Sequence, residues 1–299
     1  MTSNKTAFSD YLLLEKNYSP LTQKAYCEDV NAFETFLSTA SFDIALELVV
    51  YFHIRSWVVS LSDSGLSNVS INRKVASLKA FYKFLLKIKE IQVSPLTKHR
   101  SLKISKKIQI PFSEKEMNKL EDYNTLNQNN FDDIRNKLII ETFYATGIRR
   151  SELINLKTRD VDLYASTIKV LGKRNKERII PMLPSLSELV KDYMPERDKI
   201  ETTVDSDYFF LNSKGLKLSQ SFVYRTINSY FSNVSEKVKK SPHILRHTFA
   251  THMLNNGADL NSIKELLGHS SLASTQVYTN SSLAELQQVY KEAHPRIQK

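Results

Sequence analysis

The sequence predicts a mainly α-helical protein with a small antiparallel sheet, an α+β fold in two domains. Apolar side chains recur at helical spacing through the first ~90 residues and again after Pro184. Between these regions, short stretches alternate apolar and polar side chains, as strands do. A basic segment that contains two prolines interrupts the helical pattern. We therefore expect a helical domain over residues 1–93, a basic linker over 94–111 and a mixed domain over 112–299.

The first domain is predicted to be a bundle of four helices. Ser19 and Pro20 form a helix-start signal, because a serine oxygen can accept a free N–H group and proline fits the first turn. The predicted helices cover residues 8–16, 20–36, 44–61 and 67–87. The fourth has one apolar face and places Arg73, Lys74 and Lys79 elsewhere on its surface.

The second domain is predicted to contain a hairpin between two groups of helices. Helices are expected at residues 113–122, 131–145, 149–156 and 219–232, and another begins at Pro242. Short strands are expected at residues 161–164, 167–171, 178–182 and 208–211, with a turn at 172–175. A last amphipathic helix is expected at residues 282–293.

The net charge of +10 favours a polyanionic partner such as nucleic acid, although many proteins are basic for solubility alone. Residues 1–107 hold 15 Lys and Arg against 9 Asp and Glu, so most of the excess lies in the first third. The linker is interpreted as a solvated hinge or as a strap that follows a phosphate backbone, and we favour the strap. Its cations are Lys98, Arg100, Lys103, Lys106 and Lys107.

Composition also bears on location and redox chemistry. The single cysteine, Cys27, cannot form an internal disulfide or a thiolate metal cluster. No apolar run reaches the ~20 residues that span a bilayer. The first apolar run is stopped by Glu15 and Lys16, which is too early for a signal peptide. We expect a cytoplasmic protein with no membrane partner.

Two segments begin with cations that could bind a phosphate. Gly147 ends one predicted helix, and Arg149 and Arg150 begin the next, where cations oppose the helix dipole unless an anion binds nearby. Lys173 lies at the tip of the predicted hairpin. Each segment also has an ordinary interpretation, as surface arginines paired with Glu152 at i,i+3 or as a charged turn.

Two further segments contain histidines. His243, Arg246 and His247 are three or four residues apart, so they share one side of a predicted helix. A metal site is disfavoured, because no glutamate or cysteine completes a ligand set and Arg246 would repel a cation. An oxyanion suits a histidine and an arginine better. His269 precedes Tyr278 by nine residues, and Tyr278 taken alone is typical of a core residue.

Together these segments resemble the tyrosine recombinase (phage integrase) family, and most closely its Xer branch. The resemblance rests on ATGIRRSEL, VLGKRNKERIIP, HILRHTFATHMLNNGADLNSIKELLGHSSLASTQVYT and AHPR. In the first domain, SPLTQKAYCEDVNAF and INRKVASLKAFYKFL resemble the family's core-binding domain, which implies a SAM-like bundle. The similarity is specific, because six polar positions agree in type, order and spacing. Arg150, Thr248 and Asn280 depart from the residues common in the family, but they lie outside the six.

The resemblance implies a role for each of these positions. The implied catalytic residues are Arg149, Lys173, His243, Arg246, His269 and the nucleophile Tyr278, with Glu152 in support. Two permanently charged arginines can neutralise the phosphate oxygens, so no metal ion, ATP or other cofactor is implied. His243 is the implied base for the Tyr278 proton, and Lys173 is the implied acid for the leaving 5′-hydroxyl. His269 would add a hydrogen bond to the phosphate.

The implied function is site-specific recombination of duplex DNA through a 3′-phosphotyrosine intermediate. The chain has no extra N-terminal arm-binding module, which favours Xer-type resolution of chromosome dimers at cell division. An integrase or invertase of a mobile element would use the same chemistry. The alternatives of other classes are a DNA-binding accessory protein that does not cleave and a type IB topoisomerase.

The resemblance also implies macromolecular partners. The catalytic domain would bind a double-stranded recombination site together with the core-binding domain, and four copies would assemble on two sites. The helix 282–293 would dock on the neighbouring copy. A second recombinase or a DNA translocase is left open as a further partner. Base-reading side chains are expected on the helix with Arg73, Lys74 and Lys79 and on the helix 219–232.

Overall fold

The computed structural model describes residues 4–105, 109–125, 130–172, 176–200, 204–232, 234–237, 240–268, 288–290 and 292–297. It contains two compact units, Met1–Lys107 and Ile108–Lys299, so the division falls inside the predicted linker. The mainly helical fold with one small antiparallel sheet is confirmed. Within the described ranges, no helix is both long and apolar enough to cross a bilayer.

The described part of the first unit contains four α-helices. They are α1 (Asn4–Asp10, followed by the π-helical turn Tyr11–Glu15), α2 (Pro20–Thr39), α3 (Tyr51–Asp63) and α4 (Asn68–Lys87). Ser19 and Ser67 cap α2 and α4 by accepting backbone N–H groups of the first turn. The apolar faces of the helices enclose a core that includes Phe33, Trp57 and Phe81.

The helix predicted over residues 44–61 begins later, at Tyr51. A 3₁₀ turn (Leu46–Leu48) precedes it, and Val50 has an extended backbone with φ of −108° and ψ of 168°. The Val50 N–H donates to Nδ1 of His53 at 3.1 Å, so a side chain satisfies an amide just before the helix. Apolar periodicity alone did not reveal this local capping.

Residues 94–105, all of them described, form neither helix nor strand and are held by α4. The side-chain amide of Asn72 donates to the Leu102 carbonyl and accepts from the Leu102 N–H, both at 2.9 Å. Asn68 donates to the Lys103 carbonyl at 2.8 Å. The segment is therefore fastened to the first unit. Its exposed cations are Lys98, Arg100 and Lys103, whereas Lys106 and Lys107 lie outside the described residues.

In the second unit, the helix α6 is central. The described helices are α5 (Glu114–Thr125), α6 (Phe131–Thr146), α7 (Arg150–Asn155), α8 (Pro184–Asp198), α9 (Gln220–Ser232), α10 (Pro242–Asn255) and α11 (Leu260–Leu267). Residues 138–146 of α6 are all buried, because α8 and α10 pack against it. At Gly147, where φ is 58°, an added Cβ would lie 2.5 Å from Cδ1 of Phe249, so only glycine fits.

The sheet consists of three antiparallel strands in chain order. They are β1 (Val161–Asp162), β2 (Thr167–Leu171) and β3 (Glu177–Pro181). Ile168 lies opposite Ile180, and Val170 lies opposite Arg178. All four side chains are buried, so Arg178 occupies an inward position among apolar neighbours.

The strand predicted at residues 208–211 is not formed. Tyr208 and Leu211 each make an isolated bridge instead. The carbonyls of Tyr208 and Phe209 accept hydrogen bonds from the buried Arg197 at 2.9 and 3.1 Å. The prediction was wrong because the Phe209 N–H pairs with the Leu156 carbonyl in a single bridge, while the Arg197 side chain binds the carbonyls that a continuous strand would have paired.

The described tail of the chain packs on its own unit. Residues 288–290 and 292–293 are helical, and residues 282–287 lie outside the described residues. The Tyr290 hydroxyl donates to the Ala145 carbonyl at 2.6 Å, and Arg296 pairs with Glu141 at 2.7 Å. His294 is fully buried against the ring of Tyr144. The tail is thus seated on α6 of the same chain.

Asp29 is the buried charge that joins α2 to α4 in the first unit. Its carboxylate is almost fully buried and accepts two hydrogen bonds from Arg73, at 2.8 and 3.1 Å. Lys74 donates to it at 2.9 Å and Ser77 at 2.7 Å. Two of the cations predicted to contact DNA are therefore held by one buried acid, while Lys79 is exposed on the same helix.

Replacing Asp29 with alanine should destabilise the first unit by about 2 kcal/mol. The other donors to its carboxylate lose a charged acceptor in a buried place, whereas half-exposed Arg73 can be hydrated instead. Urea unfolding measures this, since the single tryptophan, Trp57, is buried in this unit and its fluorescence reports on it alone. The neighbouring Glu28 is exposed, so E28A should change the free energy of unfolding by less than ~0.5 kcal/mol. Equal losses in D29A and E28A would contradict the role given to Asp29.

Candidate active site

Arg149 lies at the junction where α6 ends and α7 begins. Its extended backbone, with φ of −77° and ψ of 150°, places it at the N-cap of α7. The Arg149 N–H donates to Oε2 of Glu152 at 2.8 Å, and its Nη1 donates to Oε1 at 2.7 Å. The Glu152 carboxylate therefore both caps the N-terminus of α7 and pairs with the guanidinium of Arg149.

Arg178 is a second cation on Glu152, and it is not among the site residues that the sequence predicted. Its Nη1 and Nη2 donate to the two carboxylate oxygens at 3.0 and 2.9 Å, and its Nε donates to the Leu266 carbonyl at 2.8 Å. The available signal was the strand alternation. Residue 178 shares the face of Ile180, so an arginine there enters the core and requires a buried anion.

The ionisation of Glu152 follows from these contacts. Burial alone raises the pKa of this carboxyl, but the hydrogen bonds and charge of Arg178, with the hydrogen bonds from Arg149, lower the pKa to about 2. Glu152 is therefore an anion at every physiological pH. Its charge compensates two guanidinium groups at once.

Arg246 brings another guanidinium to the same place from α10. The side chain is buried, and its Nη1 and Nη2 donate to the carbonyls of Gly147 and Leu267 at 2.5 and 2.6 Å. Burial, and then repulsion by Arg149, lower the pKa of Arg246 to about 10. It remains a cation at neutral pH and is held by backbone acceptors on two sides.

The C-terminus of α11 is the point where these arginines meet. The helix ends at Gly268 with φ of 62°, and its last carbonyls have no partners within the helix. Three successive carbonyls each accept from a different arginine: Leu266 from Arg178, Leu267 from Arg246 and Gly268 from Arg149, the last at 3.1 Å. The negative end of the helix dipole favours cations there. The result is a concentrated positive site suited to a phosphate.

Of the remaining predicted catalytic residues, only one lies within the described part of the chain. His243 is exposed on the first turn of α10, three residues before Arg246, so it lies one helical turn away. Lys173, His269 and Tyr278 lie outside the described residues. The structure thus brings together Arg149, Glu152 and Arg246 from the predicted set.

His252, the third histidine of the HILRHTFATH segment, has a structural role. Its Nε2 donates to the Phe112 carbonyl at 2.9 Å, and its Nδ1 therefore accepts from the Tyr144 hydroxyl at 3.0 Å. Burial lowers the pKa of this imidazole. Among the side chains that the structure describes, no group of three or more His, Cys, Asp or Glu is arranged to hold a metal ion.

The chain is similar to known proteins over nearly all of its length. The family model described as the phage integrase family matches residues 111–285, and that of its N-terminal SAM-like domain matches residues 6–89. The tyrosine recombinase XerC of Chlorobaculum parvum is 38% identical over 96% of this chain and 93% of its own length. The XerC of Staphylococcus aureus is 34% identical over 100% and 99%, respectively.

A solved structure shows the same fold. It is the XerH site-specific recombinase bound to a palindromic difH substrate in a post-cleavage complex. The superposition has a TM-score of 0.71 and covers 98% of this chain and 82% of that chain, at 24% sequence identity. The SAM-like first unit and the integrase-type second unit are both included in this likeness.

Glu152 should make the second unit sensitive to acid. Its pKa falls from an ordinary 4.5 to about 2 on folding, so its contribution is complete above about pH 5 and is lost as the pH falls toward 2. Glu152→Gln should therefore remove about 3 kcal/mol at neutral pH and flatten the acid dependence of stability.

Urea unfolding followed by circular dichroism near pH 7 and near pH 3 measures this effect. Trp57 fluorescence identifies the first-unit transition, so the remaining change belongs to the second unit. Glu265, exposed on α11, provides the control E265Q, which should leave the pH dependence as in the wild type. An E152Q second unit that loses as much stability between pH 7 and pH 3 as the wild-type unit would refute the prediction.

Proposed function

The chain belongs to the phage integrase family and is a tyrosine recombinase. We propose that it resolves chromosome dimers in the cytoplasm by Xer-type recombination between two copies of a specific DNA site. The relatives named XerC align with it over nearly their whole length and nearly all of this chain. An integrase or invertase of a mobile element remains the alternative role with the same chemistry. The main structural support for the proposed chemistry is that Arg149 and Arg246 both bind carbonyls at the end of α11.

The first part of the proposed mechanism is binding of the scissile phosphate. Attack on a phosphodiester places additional negative charge on the non-bridging oxygens, which cations in a low-dielectric site can neutralise. Arg149 and Arg246 are already ordered by Glu152 and by backbone carbonyls, so little reorganisation is required when DNA binds. Guanidinium forks suit this task without a metal ion.

The second part is covalent chemistry by residues assigned through the family motifs. The Tyr278 oxygen attacks phosphorus, a 3′-phosphotyrosine bond forms and the bond from phosphorus to the 5′-oxygen breaks. His243 accepts the tyrosine proton, Lys173 donates a proton to the leaving 5′-hydroxyl, and His269 donates a hydrogen bond to the phosphate. A new 5′-hydroxyl then reverses the step on another strand, so no ATP is consumed.

The first unit supplies a second DNA contact in this proposal. α4 carries Arg73 and Lys74, ordered by Asp29, and the adjoining segment 94–105 carries further exposed cations. Such side chains bind phosphates and position the protein without reading sequence. The α9 helix and α4 are the proposed base-reading elements.

The proposed assembly is four copies on two DNA sites. The family resemblance implies that the segment 282–293 docks on a neighbouring copy, whereas its described end is seated on α6 of its own chain. A partner recombinase or DNA translocase would act on this assembly.

A nicked suicide substrate should trap the wild type as a covalent adduct through Tyr278. Tyr278→Phe should abolish the adduct, because it removes the attacking oxygen. Arg246→Lys should slow single-turnover cleavage by about 100-fold or more, since it loses the fork that bridges two carbonyls and the phosphate. Denaturing gel electrophoresis measures the adduct, and EDTA should leave its rate unchanged.

The same assay separates the alternatives. A wild type that binds its site but forms no adduct would be a non-cleaving accessory protein. A type IB topoisomerase would relax supercoiled DNA without a partner site, whereas a recombinase exchanges strands only between two sites. An adduct formed by the Y278F variant would assign the nucleophile to another residue.

Salt dependence tests the contribution of the basic segment. Arg100→Ala should reduce the slope of log affinity against log salt by about 0.9, the value for one phosphate contact. Lys199, which pairs with Glu196 and is exposed at the end of α8, supplies the control K199A, which should leave the slope unchanged. Equal slopes in wild type, R100A and K199A would remove Arg100 from the interface.

A further inference from the structure

We propose that Arg178 is a positioning residue for DNA cleavage, one that fixes the phosphate-binding arginines without touching the DNA. The inference rests on the proposed function of the second unit. Arg178 joins β3, the start of α7 and the end of α11 by three hydrogen bonds from one guanidinium. Its side chain is only 4% exposed. Among the arginines that the structure describes at this site, it is the most deeply buried one that binds both Glu152 and α11.

The position of Arg178 favours an indirect role over a direct contact with substrate. Its side chain packs beneath the end of α11, where a Cβ on Gly268 would lie only 3.1 Å from its Cδ. Its Nε and both terminal nitrogens already donate to protein acceptors. We therefore expect Arg178 to influence the reaction through the groups that it holds.

Those groups determine where Arg149 lies. One terminal nitrogen of Arg149 donates to Glu152, and the other donates to the Gly268 carbonyl. Arg178 holds Glu152 directly and holds the Leu266 carbonyl, two residues before Gly268. Loss of Arg178 would release the acceptors on both sides of the Arg149 fork, and a misplacement of ~1 Å can slow a reaction about 100-fold.

The same contacts give Arg178 a distinctive pH signature. Glu152 is faced by Arg178 from β3, by Arg149 at the start of α7 and by the charge of Arg246 from α10. Without Arg178, Glu152 stays buried but loses its strongest partner, so its pKa rises. Protonated Glu152 binds Arg149 less well. Cleavage by the R178M variant should then decline more steeply at acid pH than cleavage by the wild type, in which Glu152 stays ionised.

The test is single-turnover cleavage of a nicked duplex by the full-length chain, with DNA affinity measured in parallel. R178M should cleave about 100-fold more slowly than the wild type, and R178K at least about 10-fold more slowly. The Kd for DNA should change less than about twofold in both variants. Arg197 is the matched control, since it is also buried and also donates to backbone carbonyls, in the 206–209 segment. R197K should lower thermal stability yet leave the cleavage rate of the folded protein within about twofold.

The pH profile supplies the decisive readout. R178M should gain an acid limb that disappears in the double variant R178M/E152Q, where residue 152 cannot ionise. Wild-type cleavage rates in R178K, or losses in both Arg178 variants that merely follow the folded fraction as in R197K, would overturn the proposal. If R178M does not fold, the cleavage rate and the Kd for DNA of R178K test the proposal instead. A wild type that forms no adduct would instead refute the proposed function.

Discussion

The second unit depends on holding several buried cations together before any DNA is present. Two unit charges about 4 Å apart repel by about 4 kcal/mol in partly buried surroundings, so a cluster of guanidinium groups needs fixed compensation. Glu152 supplies one full negative charge to two of them, and the end of α11 supplies partial charge through three successive carbonyls. The site is therefore ordered yet remains positive, which is the condition for rapid phosphate binding without reorganisation.

Two helix ends make this compensation possible, and both require glycine. Gly147 and Gly268 have φ of 58° and 62°, so α6 and α11 each stop with a left-handed residue. The turn at Gly147 directs its carbonyl to Arg246 and places Arg149 at the N-cap of α7, where Glu152, the third helical residue, accepts the Arg149 N–H. The two helix ends therefore set where the cations lie, although they are far apart in the sequence.

Much of this arrangement could be predicted from the sequence, because the local signals were strong. Helix-start and helix-end residues, strand alternation and the family motifs identified the fold, Arg149 and Arg246. Arg178 was missed because its role depends on a partner 26 residues away, and periodicity does not report which buried acid an inward arginine meets. The strand predicted at residues 208–211 failed for a similar reason, since Arg197 satisfies that backbone from a distant turn of α8.

Both units use a buried carboxylate to offset the repulsion between neighbouring cations. Asp29 in the first unit and Glu152 in the second are buried carboxylates that each bind two cations, so each cluster keeps a net positive charge. A buried acid weakens the total attraction for DNA, but it removes the rotational freedom that exposed arginine side chains would otherwise lose on binding. In the first unit this arrangement leaves Arg73 half-exposed toward solvent, whereas in the second Arg149 is less exposed and Arg178 is buried. In the proposed function the first unit binds phosphates with accessible charge, and the second performs chemistry with fixed charge in a low dielectric. These two tasks would account for the difference in burial.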